Sequence, residues 1–331
     1  MSTTQITPIR QIANPGDNMA GRGSSDGTHI YIPTVTSGIA TISKYDTSGV
    51  LIWEQNLSNG GAGSSSAIAD DGSVLVASES GGNSGKTSAL ARFKSSGEKL
   101  WEIENTHPRF KDVAISGTTV YVSGGTGTGF NSANTAFINA YSIEDGSLLW
   151  SKTYPNSGAA TIGDIEIENG SIYAAASLYR KRDFDTGIAG KLDLNGNEIW
   201  WKSAPANDWN AVWSVRVVDN QVLGVGYKGD GGDRGDTRLI SFDEDSGTIL
   251  WDKSWGDNNF QASGSIEVLN NKVYVSRGDG VPWNSSLNSG GYSVIDELDT
   301  GGVLTSAYGL GNPLLQRLVK SGIKFEEVTY N

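Results

Sequence analysis

The amino-acid sequence predicts an all-β fold built from repeated units, and three observations support this prediction. Glycine accounts for 44 of the 331 residues and proline for only 8, a composition that favours turns between short strands. Short runs rich in Val, Ile and Tyr, such as TTVYVS and NKVYVS, follow turn sequences as buried strands do. A glycine-to-tryptophan frame, G-x-x-x-W, also returns at intervals of about 50 residues.

The glycine-to-tryptophan frame occurs in six copies, and the first five end in tryptophan. The glycines are Gly49, Gly97, Gly146, Gly196, Gly247 and Gly301, and the residues four positions later are Trp53, Trp101, Trp150, Trp200, Trp251 and Thr305. An aromatic side chain that recurs in one register is most simply a packing residue between neighbouring units. We therefore interpret the frame as scaffold and not as a repeated ligand site.

Each copy of the frame predicts four strands. An alternating strand, clearest in KDVAISG and GDIEIENG, precedes the apolar run, and a third strand ends in the glycine turn, as in AFINAYSIEDG. The tryptophan then opens a fourth strand, and the turn glycine suits a hairpin that needs a positive φ. One such sheet cannot bury both faces, whereas sheets stacked around an axis can. The sequence therefore predicts a six-bladed β-propeller of four-stranded antiparallel blades.

The ends of the chain predict two additions to this propeller. Residues 9–13 resemble a fourth strand, so we expect residues 1–20 to supply an N-terminal strand that completes the last blade and closes the ring. The propeller itself is assigned to residues 21–310 and a C-terminal helix with its tail to residues 311–331. Asn312 suits a helix N-cap and Pro313 the first helical position.

The repeats also resemble a known class. WSKTYPNSGAATIGDIEIENGSIYAAAS and WDKSWGDNNFQASGSIEVLNNKVYVSRG are similar to bacterial β-propeller repeats of the SBBP type and, more distantly, to the quinoprotein propeller repeat. The resemblance covers about residues 20–310 and implies a propeller with a surface, extracellular or scaffold role, without a shared reaction. The large alcohol-oxidising quinoproteins have eight blades and a vicinal cysteine pair, so the resemblance does not imply a pyrroloquinoline quinone cofactor.

Composition and charge exclude several function classes. The formal net charge is −12 and no basic run is present, so nucleic acids and anionic membranes are not expected partners. The chain has no cysteine, which excludes disulfides and thiolate chemistry. No stretch is long and apolar enough to predict membrane insertion, and residues 1–21 lack a signal-peptide pattern. We expect synthesis in a cytoplasm.

Few residues suggest catalysis or metal binding. The chain has two histidines, His29 and His107, without a nucleophile motif beside either, so neither a triad nor catalytic zinc is expected. Asp230, Asp233 and Asp236 lie three residues apart in the glycine-rich YKGDGGDRGDTR segment. Their oxygens are the type that calcium binds, although a solvated acidic loop explains the same pattern. Calcium is therefore the one candidate cofactor.

Variable loops between the second and third strands are the expected carriers of specificity on a rigid scaffold. Aromatic side chains near amide and charged groups suit the faces and hydroxyls of sugars, although each can equally cover the propeller. The candidate binding residues are Trp283, Asn284, Trp209, Trp213, Tyr179 and Arg180. The apolar face of the predicted C-terminal helix either packs on the propeller or docks a partner, through Leu314, Leu315, Leu318 and Val319.

These observations predict a non-enzymatic binding or assembly propeller. A virion or tail-associated protein of a bacteriophage is the leading hypothesis, with other structural proteins or a surface polysaccharide as partners. A bacterial surface or secreted adhesion module, extracellular in location, is the alternative in the same class. A polysaccharide-acting enzyme with paired carboxylates on one face is the second class, because such a pair is sufficient for glycoside hydrolysis.

Overall fold

A computed structural model describes most of the chain, namely residues 4–6, 21–36, 38–58, 61–79, 88–105, 109–126, 135–155, 159–178, 186–205, 210–229, 235–255, 263–279 and 292–310. These residues form twenty-five strands and no α-helix. The expectation of an all-β chain is confirmed. Within the described residues, no helix is long and apolar enough to cross a bilayer.

Six groups of four strands follow one another along the described chain, and we call them repeats one to six. Repeat one contains β2 (Ser24–Ser25), β3 (His29–Thr36), β4 (Ile39–Asp46) and β5 (Leu51–Asn56). Repeat two contains β6 (Ala62–Ile68), β7 (Val74–Glu79), β8 (Ser88–Phe93) and β9 (Lys99–Asn105). Repeat three contains β10 (Arg109–Ser116), β11 (Thr119–Gly125), β12 (Ala136–Ser142) and β13 (Leu148–Thr153).

The later repeats have the same organisation. Repeat four contains β14 (Thr161–Glu168), β15 (Ser171–Leu178), β16 (Thr186–Asp193) and β17 (Glu198–Ser203). Repeat five contains β18 (Asn210–Val218), β19 (Gln221–Gly229), β20 (Gly235–Asp243) and β21 (Ile249–Trp255). Repeat six contains β22 (Ser263–Leu269), β23 (Lys272–Asp279), β24 (Tyr292–Asp299) and β25 (Leu304–Leu310).

Consecutive strands pair antiparallel within the repeats, and in repeats one to five the fourth strand lies at the end of its sheet. Repeats two and three join into one eight-stranded sheet through the pair Arg109 and Glu79. The predicted four-stranded unit is therefore confirmed. The described residues at 21–167 form one compact unit, which we call the first unit, and those at 4–6 and 168–310 form the second unit.

The N-terminal strand differs from the expectation. A short strand, β1 (Thr4–Ile6), pairs in parallel with Tyr308–Leu310 of β25 and becomes the fifth strand of the last sheet. Repeat six already has its own fourth strand, β25, so β1 adds to a complete repeat and does not fill a vacant position. Residues 9–13, where the strand was predicted, and residues 311–331, where the helix was predicted, lie outside the described residues.

The turn glycines adopt the predicted backbone conformation in five copies. Gly49, Gly97, Gly146, Gly196 and Gly247 all have positive φ. In the sixth copy the residue with positive φ is Gly302 and not Gly301, which corrects the predicted frame by one residue. Strand register agrees, because Ser306 pairs with Glu297 where Trp251 pairs with Ser241 one repeat earlier. Ser306, and not Thr305, therefore occupies the tryptophan position.

Apolar side chains, mostly from the first three strands of the repeats, form the interior of each unit. In the first unit, one buried cluster lies around Leu75, Phe110 and Phe137, and another around Tyr31, Val76 and Phe93. In the second unit one buried cluster lies around Tyr173 and Phe242, and another lies around Leu239 and Val275. First strands such as β10 and β18 contribute to these clusters and so pack against the second and third strands.

Candidate functional site

The first strand of several repeats carries a β-bulge at one equivalent place. The bulges fall between Gly63 and Ser65, Phe110 and Asp112, Val212 and Ser214, and Ser263 and Ser265. An extra residue in a strand changes the direction of the side chains beside it, and bulges are frequent next to functional sites. We call the residue after the bulge the post-bulge position.

The post-bulge position varies in chemistry although the backbone around it repeats. It holds Ser65, Asp112, Ser214 and Ser265 in repeats two, three, five and six. Asp164, in the GDIEIENG segment of β14, matches Asp112 of the KDVAISG segment. A scaffold position that changes from serine to aspartate in adjacent repeats is a candidate for specific function.

Three charged side chains meet at this position in the first unit. The Arg22 guanidinium forms an ion pair with the Asp164 carboxylate, and its Nη1 lies 3.4 Å from Asp112 Oδ2. The same Arg22 nitrogen contacts both carboxyl groups, so Asp112 and Asp164 lie side by side. We call these three residues the inner-strand cluster. The exposed fraction of the side chain is 6% for Asp112, 2% for Asp164 and 17% for Arg22. The two carboxyl groups are therefore enclosed, and the arginine is the most exposed of the three side chains.

Backbone contacts hold the cluster in place. The Ile165 amide donates a hydrogen bond to Asp112 Oδ2 at 2.8 Å, and the Ser65 side chain also bonds to Asp112. The Arg22 amide donates to the Ser64 carbonyl at 2.9 Å, and the Ser66 amide donates to the Arg22 carbonyl at 2.9 Å. Arg22 therefore joins β6 through its backbone and joins β10 and β14 through its side chain.

The cluster favours a bound proton. Burial raises the pKa of Asp112, the Arg22 guanidinium lowers it and the neighbouring Asp164 raises it, and together these effects bring the pKa to about 7. Two buried carboxylates that contact the same guanidinium nitrogen repel when both are ionised, so such a pair favours holding one proton. With one proton, the carboxyl pair carries a single negative charge, which balances the guanidinium.

The repeated tryptophan has a different role, which the structure shows in detail. Trp53 Nε1 donates to the Ser95 carbonyl of the next repeat at 3.0 Å, and Lys44 Nζ donates to the same oxygen at 2.9 Å. Lys44 is the cross-strand partner of Trp53. Two donors from one repeat thus hold one carbonyl of its neighbour.

The same arrangement occurs in both units. The Ile143 carbonyl accepts from Trp101 Nε1 and Arg92 Nη1, and the Glu244 carbonyl accepts from Trp200 Nε1 and Lys191 Nζ. We call this arrangement the tryptophan clamp. In repeat five the residue opposite Trp251 is Ser241, and Trp251 Nε1 donates to Gln221 instead.

The turn glycine is required because the tryptophan of the preceding repeat packs directly on it. A Cβ at Gly146 would lie 2.9 Å from Trp101 Cε3, and a Cβ at Gly247 would lie 2.7 Å from Trp200 Cδ2. Gly97 and Gly302 contact Trp53 and Trp251 in the same way. The interpretation of the frame as scaffold agrees with these contacts, since each tryptophan here meets the glycine of the following repeat.

The outer edges of the repeats combine two features of binding surfaces. The strands β5, β9, β13, β17 and β21 end their sheets and pair with no further described strand. The residue just before each tryptophan is an exposed aliphatic, from 39% exposed at Leu100 to 53% at Leu149. The full set is Ile52, Leu100, Leu149, Ile199 and Leu250, and we call it the edge aliphatics. A surface groove of about 470 Å³ lies beside Leu100.

Of the residues predicted to bind a ligand, the structure describes only Trp213. It is the extra residue of the β18 bulge, half-buried, with its ring 5.0 Å from that of Tyr227. The other five, Trp283, Asn284, Trp209, Tyr179 and Arg180, lie outside the described residues and remain predictions.

Of the remaining residues singled out from the sequence, some are described by the structure and others are not. Asp236 lies in β20 opposite Lys228, whereas Asp230 and Asp233 lie outside the described residues, so calcium binding remains a prediction. The described part of the chain contains no group of three or more side chains arranged to hold a metal ion. His29 begins β3 and its Nδ1 lies 3.1 Å from Asp26 Oδ2 in an exposed turn. The docking residues Leu314, Leu315, Leu318 and Val319 and the histidine His107 lie outside the described residues.

Sequence reasoning missed the inner-strand cluster. Asp112 and Asp164 stand in the same two segments that indicate the first strand of the repeat, KDVAISG and GDIEIENG, and their alignment was an available signal. Arg22 gave no signal, because it precedes a strand of only two residues.

The repeated antiparallel sheets and the tryptophan clamp define a β-propeller repeat protein. A family model described as outer membrane protein assembly factor BamB matches residues 38–230, which is more than half of the chain. The chain belongs to this family. A search of curated proteins found no match.

Solved structures support the same fold. A structure titled "Streptogramin B lyase structure" matches with a TM-score of 0.63 at 12% identity, over 93% of this chain and 88% of that chain. Hydrazine synthase of Kuenenia stuttgartiensis matches with a TM-score of 0.57 at 12% identity, over 84% and 76%. A quinohemoprotein alcohol dehydrogenase of Pseudomonas putida HK5 matches with a TM-score of 0.51 at 11% identity, over 92% and 64%.

These identities are low, so the structures are informative about fold alone. The expected relation to quinoprotein-like propeller repeats is confirmed at that level. The SBBP type remains a prediction.

Proposed function

We propose that this chain is a non-enzymatic assembly propeller that binds protein partners through the outer edges of its repeats. The edge aliphatics support the proposal most directly. Each places an apolar side chain on a strand whose outer hydrogen-bonding groups face no described strand. Unpaired strand edges bind extended segments of other proteins, and exposed apolar residues on them add affinity.

The family supports the same class of function, because its description names an assembly factor. The proposal includes the six-bladed ring expected from six repeats. Within this proposal the protein is either a virion or tail-associated part of a bacteriophage or a bacterial surface or secreted adhesion module. Detection of the protein in purified phage particles would favour the first alternative, and detection on the outside of intact cells would favour the second.

A matched set of variants tests the proposed edge. Ile52→Ser with Leu149→Ser removes two edge aliphatics without changing charge, and Asp70→Ser changes an exposed turn residue as the control. Each immobilised protein is exposed to extract of the source, and bound proteins are quantified by mass spectrometry. We expect specific partners of the wild type to be retained by the control and lost from the double variant. Equal retention by all three proteins would contradict the edge as the binding surface.

A polysaccharide-acting enzyme is the second candidate, and the Asp112–Asp164 pair is the observation that favours it. Glycoside cleavage uses an acid and a base on two carboxyl groups about 5–10 Å apart, so this pair would have to separate before it could act on a sugar. Their burial favours the assembly function, because a sugar would have to displace Arg22 to reach them.

One assay separates these candidates. Labelled wild-type protein is incubated with bacterial surface polysaccharides, with and without calcium, while new reducing ends are measured. Binding without cleavage supports an adhesion module, and calcium dependence would assign a role to Asp230, Asp233 and Asp236. Cleavage that disappears in Asp112→Asn would establish the enzyme instead.

A further inference from the structure

The inner-strand cluster occupies a place that connects three repeats within the first unit. Arg22 precedes β2, a strand of only two residues that pairs with β3 through Ser24 and Ser25. Its backbone joins β6 by two hydrogen bonds, and its side chain reaches Asp112 of β10 and Asp164 of β14. Arg22 therefore fastens the start of repeat one to the inner strands of repeats two, three and four.

The number of charges in the cluster depends on one proton. The groups that face Asp112 include the Arg22 guanidinium, the Asp164 carboxyl, the Ser65 side chain and the Ile165 amide, and Arg22 and Asp164 are the charged groups among these. Lys111, the residue before Asp112 in β10, forms its ion pair with Glu79 of β7. With one proton the cluster is neutral, and without it the cluster holds a buried net negative charge. Burying an unbalanced charge is costly because little water reaches it.

We propose that Arg22, Asp112 and Asp164 form a one-proton clasp that fastens residues 21–25 to the inner strands and opens when the proton is lost. Opening relieves the repulsion between the two carboxylates, since they then separate or admit water. The clasp is independent of the edge aliphatics, so it acts whether or not the assembly function is correct.

The direction of the pH effect follows from linkage. The folded state holds the proton of Asp112 more tightly than the unfolded chain, where an aspartate has a pKa of about 3.9. The stability that this proton supplies is complete below the unfolded pKa. It is lost as the pH rises through the folded pKa of about 7. The clasp is therefore closed in mildly acidic solution and open in mildly alkaline solution.

Opening of the clasp is measured by hydrogen exchange at the Arg22 and Ser66 amides, which form the two backbone bonds between Arg22 and β6. Wild type, Asp112→Asn and the exposed-site control Asp145→Asn are compared at about pH 5 and about pH 8, after correction for intrinsic exchange rates. We expect protection in the wild type and in the control to fall by about tenfold or more, since one pKa unit corresponds to a factor of ten. Asp112→Asn has no proton to lose, so its protection should not change with pH.

Equal corrected protection of the wild type at both pH values would overturn the proposal, as would an unchanged pH dependence in Asp112→Asn. If Asp112→Asn does not fold, carboxyl ¹³C chemical shifts of the wild-type protein provide the second measurement. One aspartate must titrate close to neutral pH, together with a change in the Arg22 amide signal. Titration of every aspartate in the ordinary acidic range would rule out the clasp.

Discussion

Two positions that recur along this chain behave in opposite ways, because the residue is nearly constant at one and varies at the other. The tryptophan of the fourth strand is nearly constant, and where it is described with its clamp it packs on a turn glycine of the next repeat. The post-bulge position of the first strand varies, with serine in repeat two and aspartate in repeats three and four. Constancy therefore marks the scaffold, whereas variation on a constant backbone marks the site with specific chemistry.

The largest expected effect on stability comes from a substitution that removes the tryptophan clamp. Trp200→Ala deletes a buried indole that donates to the Glu244 carbonyl and packs on Gly247, so we expect a loss of about 3–5 kcal/mol in the free energy of unfolding. The adjacent Ile199→Ala, at an exposed position, should change stability by less than about 0.5 kcal/mol. Urea unfolding of both variants measures the difference. Similar values for the two would mean that the repeated tryptophan does not hold the repeats together.

A comparable loss of stability is expected when Arg22 is removed from the inner-strand cluster. Arg22→Met leaves two buried carboxyl groups without their guanidinium, a change that costs about 3–5 kcal/mol for buried ion pairs. The cost should be smaller at about pH 8 than at about pH 5, because the wild-type clasp is already open at the higher pH and the contacts of Arg22 are lost there. Lys94→Met, which breaks an exposed pair with Glu98, is the control and should have little effect. A pH-independent loss in Arg22→Met would contradict the protonated pair.

A smaller effect separates backbone strain from packing at the turn glycine. Gly146 and Gly170 have nearly the same φ, 72° and 71°, but only Gly146 lies against a tryptophan. Gly170→Ala therefore measures the strain alone, while Gly146→Ala adds the clash with Trp101. We expect Gly146→Ala to be more destabilising by about 1–3 kcal/mol, the usual cost of overpacking. Thermal unfolding of both variants tests this, and equal melting temperatures would show that the tryptophan yields freely.

The smallest effect on stability is expected at the edge aliphatics. Leu149 precedes Trp150 in β13 and is 53% exposed, so Leu149→Ser should change the unfolding free energy by less than about 0.5 kcal/mol. Its effect on partner binding should nevertheless be large if the proposed edge is correct. A strong loss of stability would instead show that Leu149 belongs to the scaffold.

The repeat, the four-stranded unit and the positive φ of the turn glycines were predictable because local signals specify them. Alternating patterns indicate strands, and a turn that needs positive φ selects glycine regardless of distant contacts. The sixth copy shows the limit of this reasoning. Gly301 and Gly302 are adjacent, and only the register with Glu297 distinguishes which of them occupies the turn.

The inner-strand cluster was decided by tertiary structure alone. Arg22 lies 90 residues before Asp112 in the numbering and still further before Asp164, and no local pattern relates them. Basic residues opposite the tryptophans, Lys44 and Arg92, likewise gained meaning only from cross-strand pairing. Local sequence thus determined the strands and turns, since each depends on neighbouring residues. The packing of one repeat against another determined which side chains share a buried proton, since burial and charge proximity are properties of the folded chain.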